Sequence, residues 1–143
     1  MPKNGAPDRN RRPATQLVRG GLTRSAFAET CEAIFMTSGY IYENAEQAER
    51  AFKGEEQRYI YSRYANPTVT MLETRLALLE GTRFCRATAS GMAAVFASLI
   101  SQLKAGDRVV ASRALFGSCH YIINDLLPRY GIKTEFVDGT DLG

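Results

Sequence analysis

The chain has no tryptophan, a single histidine and three cysteines, with no C-x-x-C pair among them. No His/Cys/Asp cluster has metal-ligand spacing, so no metal is expected. Cys31, Cys85 and Cys119 are odd in number and lack a neighbour pattern that marks a nucleophile. They read as reduced, buried structural thiols of a cytoplasmic protein. No apolar run approaches the roughly 18 residues that cross a bilayer, and residues 1–24 lack the apolar centre of a secretory signal. A membrane partner is therefore not expected. The start is basic and poor in acid, as transit peptides are, but Pro2, Pro7 and Pro13 weigh against an amphipathic helix there. Neither a P-loop nor a G-x-G-x-x-G fingerprint occurs.

The net charge is only +3, and six of the 18 basic residues precede Ser25. Beyond that point the chain is slightly acidic. A basic excess confined to a tail is not the basic stripe of a nucleic-acid binder, so no nucleic-acid partner is expected. With 45% hydrophobic and 23% charged residues, the composition is that of an ordinary globular protein and excludes wholesale disorder.

Residues 1–24 are rich in Pro, Gly, Asn and Arg and read as a flexible basic arm. Residues 25–66 form an N-terminal extension with one short helix. That helix should begin after Asn44, carry Ala48, Ala51 and Phe52 inward, and stop at Gly54. From residue 67 onward the pattern is regular. Val69, Leu72, Leu76 and Leu79 recur at helical spacing before Gly81. Residues 83–88 read as a strand. Ser90-Gly91 opens a helix with Met92, Val95, Phe96, Leu99, Ile100 and Leu103 on one face. Residues 108–112 read as a buried strand, residues 117–129 as a helix ended by Gly131, and residues 133–137 as a strand. Helices and strands alternating at this spacing predict an α/β domain over residues 67–143, its sheet mainly parallel with helices on its faces. Three short strands leave the sheet small and its edge prone to association.

Three segments could carry chemistry. Thr88-Ala89-Ser90-Gly91-Met92 takes the chain from a strand into a helix start, where free N–H groups and the macrodipole favour an anion and Gly91 permits its close approach. Read locally, Ser90 is equally a plain N-cap and Gly91 a packing residue. In Tyr59 to Thr68, Tyr61 and Arg63 project to one side of an extended segment and offer a phosphate one hydroxyl and one bidentate cation; a solvated surface loop is the alternative. Phe116 follows the strand at 108–112, where ligands bind in open α/β sheets, and could stack on a flat ring or pack in the core. His120 has no orienting carboxylate nearby in sequence and reads as a surface residue.

Taken in order, Y-S-R-x-x-N-P-T, L-E-x-x-L-A-x-L-E-G, S-G-M-A-A, L-x-x-G-D-x-V-V, L-F-G and G-I-x-x-x-F-V-D resemble the Cys/Met-metabolism pyridoxal-phosphate (PLP) enzymes. The resemblance runs from about Thr15 to Asp138 and covers about the first third of a typical member. It implies the opening part of a fold-type-I PLP-transferase large domain. It also implies that Gly91 and Met92 donate main-chain N–H groups to the PLP phosphate. Tyr61 and Arg63 would reach the phosphate of a neighbouring subunit's cofactor, and Phe116 would stack on the pyridine ring. Many members have tyrosine at that last position, so a catalytic hydroxyl there is lost. Homo-oligomerisation as a dimer of dimers and a small amino-acid substrate are implied too.

Within the family, Thr37-Ser38-Gly39-Tyr40 and the run from Arg113 to Cys119 look most like O-succinylhomoserine sulfhydrylases. These make homocysteine from O-succinylhomoserine and sulfide by γ-replacement; cystathionine γ-synthase and the methionine and cystathionine γ-lyases are the alternatives. The family's Schiff-base lysine does not occur in this chain, nor do its pyridinium-pairing aspartate and substrate-carboxylate arginine. Lys53, Lys104 and Lys133 lie in other contexts and read as solvated. A PLP enzyme needs that lysine for cofactor attachment and proton transfer. No catalytic residue is therefore expected in this segment, and the chain alone should not turn over substrate. A phosphate-binding α/β module without chemistry, and an interaction domain with relic motifs, remain as rival readings.

Overall fold

The computed structural model describes residues 10–141. The first nine residues of the expected arm, and the final Leu142 and Gly143, lie outside them. The chain divides into two compact units, Met1–Ala87 and Thr88–Gly143. The division falls after α3 below, not at residue 66, because α3 hydrogen-bonds and packs with segments that precede it.

In the first unit, α1 (Pro13–Arg19) stands where the flexible arm was expected. Pro13 weighed against a helix in the sequence, yet it occupies the first turn, where proline's missing N–H costs nothing and its fixed φ suits the helix. Gln16 is buried, and α1 packs on α3 (Pro67–Leu79). The link tightens at Gly20, whose carbonyl accepts from Arg75 Nε at 2.9 Å, while the Arg75 guanidinium pairs with Glu32. Gly21 has φ +71°, and a Cβ there would lie 2.8 Å from the Met71 carbonyl oxygen. Only glycine meets both demands.

This contact decides which side of α3 is covered. Met71 and Ala77 are buried, whereas Val69, Leu72 and Leu76 are 40–48% exposed. Three of the four residues of the apolar stripe read from the sequence are thus on the uncovered side, while Leu79 is half-covered. The short helix α2 (Ala45–Phe52) is as expected at its start, with Asn44 accepting from Gln47 N at 2.8 Å. Ala51 is buried, but Phe52 is 70% exposed and lies beside the Tyr42 ring, contrary to expectation. The inward position of this short helix is already filled by Ala51.

Residues 83–88 form no strand. A strand needs a partner's N–H and C=O groups, and this segment instead bonds to side chains. Glu73 accepts from Ala87 N at 2.9 Å and pairs with Arg86, and Thr82 Oγ1 donates to the Phe84 carbonyl.

In the second unit, α4 (Gly91–Ile100) leads to β1 (Arg108–Ser112), α5 (Gly117–Tyr121) and β2 (Lys133–Val137). The two strands are parallel, with Arg108 opposite Lys133 and Ser112 opposite Val137. β1 is half-covered rather than buried, Val110 being 50% exposed. The helix expected over residues 117–129 is present but changes pitch. It widens into a π turn at Ile122–Leu126 and tightens into a 3₁₀ turn at Leu127–Tyr130. Pro128 has no N–H for the α ladder, and its ring crowds the carbonyl four residues back, so the regular helix cannot continue. Ile122, Ile123, Leu127 and Ile132 form the core, against which the apolar face of α4 packs. Leu127 is fully buried, which contributes about 2 kcal/mol of hydrophobic stabilisation.

Candidate functional site

The start of α4 is built by short polar side chains. Ser90 is extended and caps the helix, its Oγ accepting from Ala93 N at 3.2 Å. Thr88 Oγ1 donates to the Ser90 carbonyl at 2.8 Å. The Ser90 cap satisfies the third amide of the helix. The N–H groups of Gly91 and Met92 precede the first intrahelical bond and point out of the helix end. A Cβ built on Gly91 would meet no heavy atom within 4 Å. Gly91 is therefore not packed against protein on its Cβ side.

Tyr61 and Arg63 are brought together, but by a turn rather than an extended segment. Tyr61 forms an isolated antiparallel bridge with Gly39. The chain then turns, with Tyr64 N and Ala65 N both donating to the Tyr61 carbonyl. The Arg63 guanidinium carbon lies 4.8 Å from the centre of the Tyr61 ring and 5.4 Å from that of Tyr64. Both Tyr61 and Arg63 are exposed, so a phenol and a guanidinium stand side by side at the surface.

Phe116 is 73% exposed at the N-cap of α5, so it is not a core residue. It follows β1, and α4 and α5 touch. Beyond the carboxyl ends of β1 and β2 lies an open groove of about 540 Å³ lined by Ser112, Arg113, Ala114, Asp138, Gly139 and Thr140. The Asp138 carboxyl is held below its ordinary range by the Thr140 hydroxyl and then by the Thr140 N–H. His120, expected at the surface, is half-buried, its ring stacked on Phe136 at 4.5 Å. The cysteines are free thiols, but Cys31 is exposed rather than buried, and Cys85 and Cys119 are only half-covered.

Tyr61 and Arg63 lie in the first unit, and Gly91, Met92 and Phe116 in the second. Sequence reasoning missed Ser62 and Asn66 as hydrogen-bonding residues around the Tyr61–Arg63 turn. Their signal was the polar spacing in Y-S-R-x-x-N-P-T, of which only Tyr61 and Arg63 were singled out from the sequence. Lys53 pairs with Glu49, and Lys104 and Lys133 are exposed. Among the described residues no group of three His, Cys, Asp or Glu side chains could hold a metal, and no helix is long and apolar enough to cross a membrane.

A family model for Cys/Met-metabolism PLP-dependent enzymes matches residues 14–143. The chain belongs to this family. O-succinylhomoserine sulfhydrylase of Mycobacterium tuberculosis is 58% identical over 129 residues, covering 90% of this chain and 32% of that protein. The Pseudomonas aeruginosa protein of the same name is 41% identical, again over 90% and 32%. An L-methionine γ-lyase of Porphyromonas gingivalis is 38% identical over 87% of this chain and 31% of its own length. Among solved structures, a Campylobacter jejuni protein described as an O-acetylhomoserine (thiol)-lyase, carrying a pyridoxyl-lysine phosphate group, superposes with TM-score 0.85 at 34% identity. It covers 93% of this chain and 33% of that one. The chain spans about a third of the length of the Cys/Met-metabolism PLP-dependent enzymes it matches, and it has their α/β fold over that third.

Proposed function

We propose that this chain is the N-terminal segment of a PLP enzyme that makes homocysteine from O-succinylhomoserine and sulfide by γ-replacement. The observation that carries this reading is the 58% identity to an O-succinylhomoserine sulfhydrylase across nine-tenths of the chain. A γ-lyase acting on methionine is the second reading, favoured by the 38% identity to an L-methionine γ-lyase.

In this proposal the N–H groups of Gly91 and Met92 hold the cofactor's phosphate at the start of α4. Two supports are the open space on the Cβ side of Gly91 and the use of Ser90 Oγ to cap the third amide instead. The exposed ring of Phe116 covers one face of the pyridine. It carries no hydroxyl, so it takes no part in proton transfer. Tyr61 and Arg63 donate to the phosphate of a neighbouring subunit, which makes a homo-oligomer part of the function. Bound PLP supplies the electron sink for an amino-acid substrate. The protein's share here is orientation and charge: main-chain dipoles and one guanidinium neutralise the phosphate and fix the ring in place.

The direct test is turnover by the complete enzyme. O-succinylhomoserine with sulfide should yield succinate and homocysteine in equal amounts. Release of a thiol from methionine without added sulfide, at a higher kcat/KM, would favour the second reading. The 143-residue chain alone should show no turnover. Borohydride fixation of PLP to one specific lysine of this chain (Lys3, Lys53, Lys104 or Lys133) would refute the proposal that attachment lies beyond it.

A further inference from the structure

Asn66 is only 9% exposed, and every atom of its amide group is used. Its Nδ2 donates to the Phe35 carbonyl at 2.9 Å and to Ser62 Oγ at 3.0 Å. Its Oδ1 accepts from Thr68 N at 2.9 Å, which caps α3. Ser62 continues the network. Its hydroxyl donates to the Thr37 carbonyl, and its N–H donates to the Ser38 carbonyl at 2.9 Å. Phe35 N in turn donates to Thr68 Oγ1 at 2.9 Å. One amide thus ties three pieces of chain together: residues 35–38, the turn after Tyr61, and the first turn of α3. Ser62 sits between Tyr61 and Arg63, so the network grips the centre of the Tyr61–Arg63 turn from its covered side.

We propose that Asn66 is a positioning residue for phosphate binding: through Ser62 it holds the exposed Tyr61–Arg63 pair in the geometry that reaches the anion. This rests on the assignment of Tyr61 and Arg63 to a phosphate and adds the residue that orients them. A capping role alone needs only Oδ1. The two Nδ2 bonds make no contribution to the helix start and act on the turn and its neighbour.

The substitution Asn66→Asp separates these roles, since aspartate caps as well as asparagine but has no Nδ2 donors. The complete enzyme would be freed of cofactor and titrated with PLP and with pyridoxal, which lacks the phosphate, for Asn66→Asp, Arg63→Ala and the double variant. We expect Asn66→Asp to weaken PLP about tenfold, to leave pyridoxal within about twofold, and to have no added effect once Arg63 is alanine. Equal loss for both ligands, or the same loss in the Arg63→Ala background, would reduce Asn66 to a structural role and overturn the inference. An Arg63→Ala enzyme with an unchanged ratio of PLP to pyridoxal affinity would sink the phosphate assignment itself. Should Asn66→Asp not fold, Ser62→Ala removes the shared hydroxyl and must reproduce the phosphate-specific loss; a folded Ser62→Ala enzyme with an unchanged ratio overturns the inference equally.

Discussion

Replacing Gly91 with valine separates the fold from the proposed ligand. In most helix starts a buried glycine cannot be enlarged without damaging the protein, and lost binding is then uninformative. Here an added Cβ meets no heavy atom within 4 Å, and Gly91 is not among the glycines with positive φ. Glycine and valine differ in helix propensity by only about 0.5 kcal/mol, so the protein without cofactor should melt at nearly its usual temperature. The branched side chain would instead fill open space beside Gly91 at the helix start and crowd an anion brought close to its backbone. A hydrogen bond to a charged group contributes about 1.5–3 kcal/mol. Losing one of the two would raise the Kd for PLP roughly tenfold to a hundredfold. The assay is titration of cofactor-free complete enzyme by absorbance, with pyridoxal in parallel and thermal melting as the control for folding. An unchanged PLP affinity refutes the cradle. An equal loss for pyridoxal refutes the assignment of the phosphate to this helix.

Three further outcomes are expected. Leu127→Ala should destabilise the chain by about 3 kcal/mol in denaturant unfolding, since Leu127 is fully buried among Ile122, Ile123 and Ile132. Gly21→Ala should cost about 2 kcal/mol in the same measurement, because φ is +71° and the Met71 carbonyl lies 2.8 Å from the new Cβ; an unaltered midpoint would mean that α1 does not hold α3 as described. The Glu29 carboxyl is lowered by the Ser25 hydroxyl and then by the Ser25 N–H, so its bonds support the turn above its ordinary pKa of 4.5 and are lost as pH falls through its lower folded value. Ser25→Ala should move that titration, followed by carboxyl NMR, upward toward 4.5.

The second unit was the more legible part of the chain. The face formed by Met92, Val95, Phe96, Leu99 and Ile100, and both strands, follow from periodicity, because their partners are close in sequence and the core is shared. Residues 83–88 misled because alternation describes a residue's suitability for a strand, while the strand itself requires a neighbour. In the first unit the error lay in Pro13 and in the face of α3. Proline excludes a helix interior but not its first turn, and a helix with apolar residues on two sides does not announce which one α1 will cover. The start of α4 and its Ser90 cap were readable because small residues, a glycine and an N-cap residue sit together in the chain. The grip of Asn66 on the Tyr61 turn was not, since its partners Phe35 and Thr68 stand on either side of it, one of them 31 residues away.

The amides at the start of α4 belong to the main chain, and that limits how mutation can reach them. Exchange of one side chain for another leaves both N–H groups in place, so chance substitution can crowd this position but rarely disarm it. Proline is the exception among coded residues, because it removes the N–H itself while remaining compatible with a first helical turn. At residue 91, the first helical position, which follows the extended Ser90, it would delete a single donor atom and leave the rest of the helix start standing. For the proposed backbone contact, that is as near to a side-chain deletion as the genetic code allows.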